Sequence, residues 1–218
     1  MTILTPDRAD GFIRANTALR APPHVPEILL HLADEAHDLW HRTEEELQEM
    51  GLQPPYWAFA WAGGQGLARY VLDHPETVAG RRVLDFATGS GLVAIAAAKA
   101  GAVGVLAADI DRFCRGAVML NAAANGVSVP FTDADLTGAE GDWDVVLAGD
   151  VFYDRAMTAC LLGWFDGLAA AGALVLVGDP GRSYLPRDRL TFLAEYQVPV
   201  TRALEDAEVK RTTVWRYG

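Results

Sequence analysis

From Arg82 onward the chain alternates short apolar runs with longer segments of helical spacing. The runs at 82–86, 103–108, 128–132, 144–149 and 173–178 predict strands, and the intervening segments 91–100, 111–124 and 155–170 predict helices. Two of the runs, Asp144-Val145-Val146-Leu147-Ala148 and Ala173-Leu174-Val175-Leu176-Val177, are nearly all apolar, as strands covered on both faces must be. Strand–helix alternation of this kind predicts an α/β fold with a doubly wound, mostly parallel sheet. Near the end, Glu195 to Ala203 and Glu208 to Tyr217 read as two long strands, with Leu204-Glu205-Asp206-Ala207 as the turn of a closing antiparallel hairpin.

The first part of the chain is patterned differently. Asp10 to Leu19 predicts a short helix stopped by Pro22-Pro23, Ile28 to Leu32 a short strand, and Thr43 to Met50 an acidic helix ended by Gly51. The aromatic stretch Pro54 to Trp61 is bounded by prolines and reads as a loop, followed by a helix over Gly66 to Leu72. The expected division is an N-terminal extension, 1–53, packing on a core domain, 54–218.

Composition narrows the functional classes. Hydrophobic residues make up 51% of the 218 positions, enough for a sizeable core, and no apolar run is long enough to span a bilayer. The formal net charge of -11 disfavours nucleic-acid binding and favours encounter with a cationic partner. Cys114 and Cys160 lie in apolar helical contexts and read as small core residues of a reducing compartment, which makes the cytoplasm the expected location. Arg8, Arg14 and Arg20 hint at a presequence, but Asp7 and Asp10 argue against one.

The candidate chemistry sits at the ends of the predicted strands, where open α/β sheets bind ligands. Asp85-Phe86-Ala87-Thr88-Gly89-Ser90-Gly91 closes the first core strand and opens a helix. Glycines let the backbone approach a ligand, and the helix start offers unpaired N–H groups. An acid in front of them suits the ammonium of S-adenosylmethionine. The same letters satisfy a relaxed dinucleotide pattern with Asp109 as the ribose-binding acid, which keeps an oxidoreductase reading open. Asp85 weighs against it, because a pyrophosphate would be repelled by the carboxylate.

The other strand ends also carry acids. Asp109 is the candidate for ribose hydroxyls, since Asp111 is placed to cap the next helix. Asp135, in preference to Asp133, is the candidate for the adenine amino group. Ala87 and Ile110 accompany these residues in the expected cofactor site. Asp150 and Asp179 end the fourth and fifth core strands. His31, His37 and His41 lack the supporting residues of a metal centre, and none is expected. Trp57 and Trp61 read equally as core anchors or as a lid over the ligand.

Four blocks then resemble one family. Pro55-Tyr56-Trp57-Ala58-Phe59-Ala60-Trp61-Ala62-Gly63-Gly64-Gln65, Gly149-Asp150-Val151-Phe152-Tyr153-Asp154, Gly178-Asp179-Pro180-Gly181-Arg182 and Thr212-Thr213-Val214-Trp215 are similar to blocks of the electron-transfer flavoprotein β-subunit lysine methyltransferases. The second carries the Asp-x-x-Tyr signature of seven-β-strand lysine methyltransferases. The resemblance covers about 54 to 217 and implies a Rossmann-like class I methyltransferase fold. It implies transfer of methyl groups from S-adenosylmethionine to lysines of the flavoprotein β subunit, with no nucleic-acid or membrane partner. By position it implies cofactor contacts from Asp85, Gly89, Gly91, Asp109 and Asp135. Trp61 and Asp150 would line the cofactor–lysine junction, and Tyr153 would support Asp150 and the lysine channel. With no convincing presequence, it points to a bacterial form. The alternatives are a methyltransferase for ribosomal-protein lysines or another amine, an oxidoreductase, and a non-catalytic binding module.

Overall fold

The computed structural model describes residues 6–33, 54–200 and 207–218. The chain starts with α1 (Pro6–Asn16), β1 (Ala18–Arg20) and β2 (Leu30–Leu32); the last two pair as an antiparallel hairpin. A 3-10 turn at Tyr56–Ala58 leads into α2 (Ala62–Asp73). The alternating part follows: β3 (Arg82–Phe86), α3 (Leu92–Lys99), β4 (Gly104–Ala108), α4 (Arg112–Ala124), β5 (Phe131–Thr132), β6 (Val145–Gly149), α5 (Arg155–Ala170) and β7 (Leu174–Asp179). β8 (Leu190–Pro199) and β9 (Val209–Tyr217) complete the described elements. The predicted helix at 43–50, His37, His41 and all but the last residue of the predicted 204–207 turn lie outside the described residues.

The seven-stranded sheet has the order β5-β4-β3-β6-β7-β9-β8. β3 to β7 are parallel, and β9 runs antiparallel to both β7 and β8. Side chains alternate between the two faces, as the two-residue period of a strand requires. Val83, Val145, Leu147 and Leu176 pack with α2, α3 and α4 on one face, while Leu84, Phe86, Val146 and Val177 pack with Leu161, Trp164 and Phe165 of α5 on the other.

Boundaries moved where packing or backbone chemistry overrode local pattern. The predicted strand at 128–132 shrinks to Phe131–Thr132, because Pro130 has no N–H and contributes only its carbonyl, to Ala107. The first helix ends at Asn16, earlier than expected, and the chain after it pairs with β2. β8 starts at Leu190, upstream of the predicted 195, in register with β9. Of the two cysteines, Cys114 is buried as expected, but Cys160 is exposed, at the edge of the cavity beyond the strand ends.

The N-terminal elements are fastened to α4. The Oδ1 of fully buried Asn121 accepts from the His31 amide at 2.7 Å, and its Nδ2 donates to the Ser90 carbonyl at 2.8 Å. One side chain thus ties the hairpin to the glycine turn after β3. Asn125 exchanges two hydrogen bonds with the Leu29 backbone, 3.0 Å and 2.6 Å long. Trp57 is a core anchor: 1% exposed, it stacks on Phe113 at 5.9 Å in a cluster with Ala9 and Ile13 of α1.

The largest departure from expectation is the start of α2. The sequence places two glycines, Gly63 and Gly64, ahead of the predicted helix, yet the helix includes both. A Cβ on Gly63 would strike the Gly178 carbonyl, and a Cβ on Gly178 would strike the Gly63 carbonyl. The first turn of α2 therefore rests directly on the end of β7, and this packing outweighs the poor helix propensity of glycine. Gly63→Ala and Gly178→Ala should each destabilise the protein by about 1–3 kcal/mol, since neither backbone can yield. Gly11→Ala, on α1 with open space around it, should be neutral or stabilising by up to about 1 kcal/mol. Urea midpoints of the three variants check this, and equal midpoints would refute the close backbone contact.

Candidate functional site

A cavity of about 730 Å³ opens beyond the C-terminal ends of the parallel strands. Its size falls within the roughly 300–1,000 Å³ of small-molecule sites. Six aspartates line it: Asp85, Asp109, Asp111, Asp135, Asp150 and Asp154. Arg182 is the one basic side chain among the described lining residues.

Asp85 sits at the floor. It is 2% exposed, and its Oδ2 accepts from Thr88 Oγ1 and from the Ala94 amide at 2.9 Å. Burial pushes its carboxyl up to about 7, with the charge of Asp109 adding to the rise and the two donors opposing it. Ala87 follows with φ 54°, a left-handed conformation that costs a non-glycine residue on the order of 1 kcal/mol and turns the chain sharply out of β3.

Asp109 braces the glycine turn from the next strand. Its Oδ2 accepts from the Gly89 amide at 2.9 Å, and its Oδ1 accepts from the Asp111 amide at 3.0 Å. Asp111 caps α4 through the Phe113 amide, as its spacing predicts, and burial pushes its carboxyl up to about 6. Ile110 is 64% exposed on the rim. Asp135 lines the cavity and closes a tight turn through the Thr137 amide, whereas Asp133 is drawn toward Arg112 and Arg115 on α4. Gly91 stands apart from the other expected cofactor residues. It does not line the cavity; its φ of 82° starts α3, and a Cβ there would press on Val118.

The opposite corner is built from three segments. Asp150, with φ 57°, directs its carboxylate between α2 and the loop after β7. Its Oδ2 accepts from the Gly64 amide at 2.9 Å. Its Oδ1 accepts from Arg182 Nη2 at 2.6 Å and Nε at 3.0 Å. The Trp61 ring lies 5.7 Å from the Arg182 guanidinium carbon, and its Nε1 donates to the Tyr56 carbonyl at 3.0 Å. Tyr56 and Tyr153 form the outer wall, 6.3 Å apart. Burial, followed by Tyr56, Asp109 and Asp154, raises the Tyr153 phenol above its ordinary range.

Asp179 does not line the cavity. It is 1% exposed, and its Oδ1 accepts from the amides of Gly181 and Arg182 at 2.6 Å and 2.7 Å, which turns the loop back over Asp150. The structure thus brings together Trp61, Asp85, Ala87, Gly89, Asp109, Ile110, Asp135, Asp150 and Tyr153 around one cavity. Sequence reasoning held Arg182 as part of a block and, with Asp179, as a candidate for the lysine site second to Asp150; it missed the pairing of Arg182 with Asp150 and Thr88 as a partner of Asp85. The only signal for Arg182 is its place at a strand end among acids; the pairing needs the fold. Among the described residues, no three His, Cys, Asp or Glu side chains converge as metal ligands. No helix among them is long and apolar enough to cross a membrane.

Comparison with known proteins gives a consistent picture. The family model of ribosomal protein L11 methyltransferase (PrmA) matches residues 69–150. The electron transfer flavoprotein beta subunit lysine methyltransferase of Danio rerio is 38% identical over 97% of this chain and 84% of its own length. The solved ribosomal protein L11 methylase of Lactobacillus delbrueckii subsp. bulgaricus superposes with a TM-score of 0.52 at 22% identity, covering 73% of this chain and 81% of its own. Magnesium protoporphyrin IX methyltransferase of Synechocystis, solved with bound S-adenosylmethionine, superposes with a TM-score of 0.52 at 16% identity, covering 85% and 98%. The fold is that of the class I methyltransferases.

The burial of Asp85 has a consequence for stability. An unfolded chain releases its proton near 3.8, and the folded protein near about 7. Between those values the native state holds a proton that the unfolded state has lost, so stability falls as pH rises through the window. Above it the cost reaches on the order of 4 kcal/mol. Asp85→Asn removes this dependence. Its melting temperature relative to the wild type should be more favourable at pH 8 than at pH 5, measured by calorimetry. An equal difference at both pH values would mean that Asp85 ionises in its ordinary range.

Proposed function

Since the chain belongs to the electron transfer flavoprotein beta subunit lysine methyltransferase family, we propose that it transfers methyl groups to lysine side chains of that flavoprotein subunit. The observation that carries this reading is the Trp61–Asp150–Arg182 corner at one end of a cavity that also holds the strand-end carboxylates Asp85, Asp109 and Asp135. When bound, S-adenosylmethionine supplies a sulfonium-activated methyl that passes to a neutral amine, leaving S-adenosylhomocysteine and a released proton.

The cavity fits that cofactor in volume and in donor set. Asp85 would meet the ammonium of its methionine moiety, Asp109 the ribose hydroxyls and Asp135 the adenine amino group. Gly89 would admit the ligand close to the backbone. Ile110 and Leu136 would flank the base. These roles are also what disfavours a dinucleotide, whose pyrophosphate would face Asp85.

At the other end, Asp150 would aim the acceptor amine, with Trp61, Tyr56 and Tyr153 walling its approach. A free lysine must lose a proton before attack, at a cost of roughly 4–5 kcal/mol near neutral pH. The aromatic walls lower this cost by keeping water from the ammonium. Alignment of amine and methyl supplies much of the remaining rate. The acidic surface would draw a lysine-bearing loop by long-range attraction, an effect that salt weakens. We further propose a cytoplasmic address, a reading supported by the unpaired Cys114 and Cys160.

Ribosomal protein L11 is the alternative substrate, favoured by the family match over 69–150. Mass spectrometry of purified flavoprotein and of L11 after incubation with enzyme and S-adenosylmethionine separates the two. Methylated β-subunit lysines are expected; labelling of L11 alone would overturn the assignment.

Two substitutions divide the cavity. Asp109→Ala should weaken cofactor binding by about 1–3 kcal/mol, since buried hydroxyls lose their acceptor. Asp150→Ala should leave cofactor binding nearly intact and lower turnover by about 100-fold or more, because it removes aim rather than affinity. Calorimetry with S-adenosylhomocysteine and initial rates check both, and a normal rate from folded Asp150→Ala would move the acceptor site elsewhere.

A further inference from the structure

Arg182 has an unusual place. It is the one basic side chain among the described residues of a cavity lined by six aspartates, and it is committed to one of them. Two nitrogens of its guanidinium reach a single oxygen of Asp150, at 2.6 Å and 3.0 Å. The pair is well shielded, with side chains 21% and 11% exposed. Three further features hold it there. Trp61 lies over the guanidinium, the Gly64 amide fixes the other Asp150 oxygen, and Asp179 turns the loop so that Arg182 points back. A charged pair sheltered from water is costly to assemble, and the loop, turn and ring all serve to assemble it.

An acceptor lysine sets a conflicting demand. A carboxylate attracts and aims the ammonium, but the same attraction keeps it protonated, and a protonated amine cannot attack. An opposite charge within reach moves the titration of such a group by about 1–3 pH units. We infer that Arg182 is a positioning residue for the methyl acceptor, neutralising Asp150 so that the lysine amine is aimed without being held protonated. This rests on the lysine methyltransferase reading above. Arg182 acts through Asp150, and transfers nothing itself.

Among the described residues, the other charged and titratable groups of the cavity are Asp85, Asp109, Asp111, Asp135, Asp154, Cys114, Cys160, Tyr56 and Tyr153, with Asp179 and Arg187 on the neighbouring loop. Among these described lining residues none supplies a second cation inside the cavity. Removal of Arg182 therefore takes a positive charge away from the Asp150 carboxylate beside the amine.

The test is the pH profile of kcat for flavoprotein methylation by the full chain. In the wild type, kcat should rise with pH as the bound lysine loses its proton. Arg182→Gln should move the midpoint of that rise to a pH about 1–3 higher. Below the midpoint kcat then falls roughly tenfold for every whole pH by which the midpoint has risen, and it recovers in alkali. Arg182→Lys keeps the charge and should hold the wild-type midpoint, even with a lower plateau. Binding of S-adenosylhomocysteine by calorimetry confirms that each variant retains its cavity.

A uniform loss of rate in Arg182→Gln with an unmoved midpoint would reduce Arg182 to a loop-holding role and overturn the inference. An unmoved midpoint with a lower KM for the flavoprotein would overturn it too, making the guanidinium a stand-in that the lysine displaces. If Arg182→Gln does not fold, Arg182→Met, which also removes the charge, carries the same test: a raised midpoint supports the inference, and an unmoved one refutes it. Failure of the wild-type enzyme to methylate any flavoprotein lysine would instead strike the lysine reading itself.

Discussion

The backbone contact between Gly63 and Gly178 governs how the sheet and its first core helix meet. Two chains without side chains approach until carbonyl and Cα touch, and the start of α2 comes to rest on the end of β7. That approach brings the Gly64 amide to Asp150 and sets Trp61, the residue before α2, at the mouth of the cavity. It also brings the loop that begins at Asp179 to the same corner, so Arg182 can reach across. Any side chain at either glycine would push these pieces apart. The Trp61–Asp150–Arg182 corner is thus a product of packing, with the polar contacts following from it.

The cavity carries its charge unevenly. Carboxylates stand at the ends of β3, β4 and β6 and after β5, and Arg182, the one basic side chain among the described lining residues, pairs with Asp150. The concentration of like charge is tolerable because several of the acids also serve the backbone: Asp109 supports the Gly89 amide, Asp111 caps α4 and Asp154 caps α5. Asp85 is the destabilising one, buried among strands with a carboxyl pushed up to about 7. That burial makes the protein less stable at alkaline pH than its fold allows.

The hairpin of β1 and β2 is more than an appendage. Asn121 connects it to the carbonyl of Ser90, inside the turn that forms the cavity floor. Val25, Ile28 and Leu30 are fully buried in the same core cluster as α2, α3 and α4. The glycine turn is therefore held from two sides, by Asp109 on the sheet and by Asn121 on α4.

What the sequence by itself determined was the part that depends on near neighbours. Alternating apolar runs specified the strands and helices, the closing hairpin could be read from two long β-rich stretches, and an acid at each strand end located the cavity, since parallel topology brings those ends together. Asp111 as a helix cap followed from spacing alone. The choice between equivalent letters belonged to the tertiary structure. Trp57 and Trp61 look alike in sequence, but one packs on Phe113 in the core and the other covers Arg182. Cys114 and Cys160 sit on similar helices, but the first is buried and the second is exposed. Gly89 and Gly91 belong to one motif, yet only Gly89 faces the cavity, while Gly91 serves the packing of α3 on α4. Asp150 and Arg182 stand 32 positions apart, and no local preference links them. Their pairing exists only because β6 and β7 are neighbours in the sheet, a relation set by the packing of the whole core.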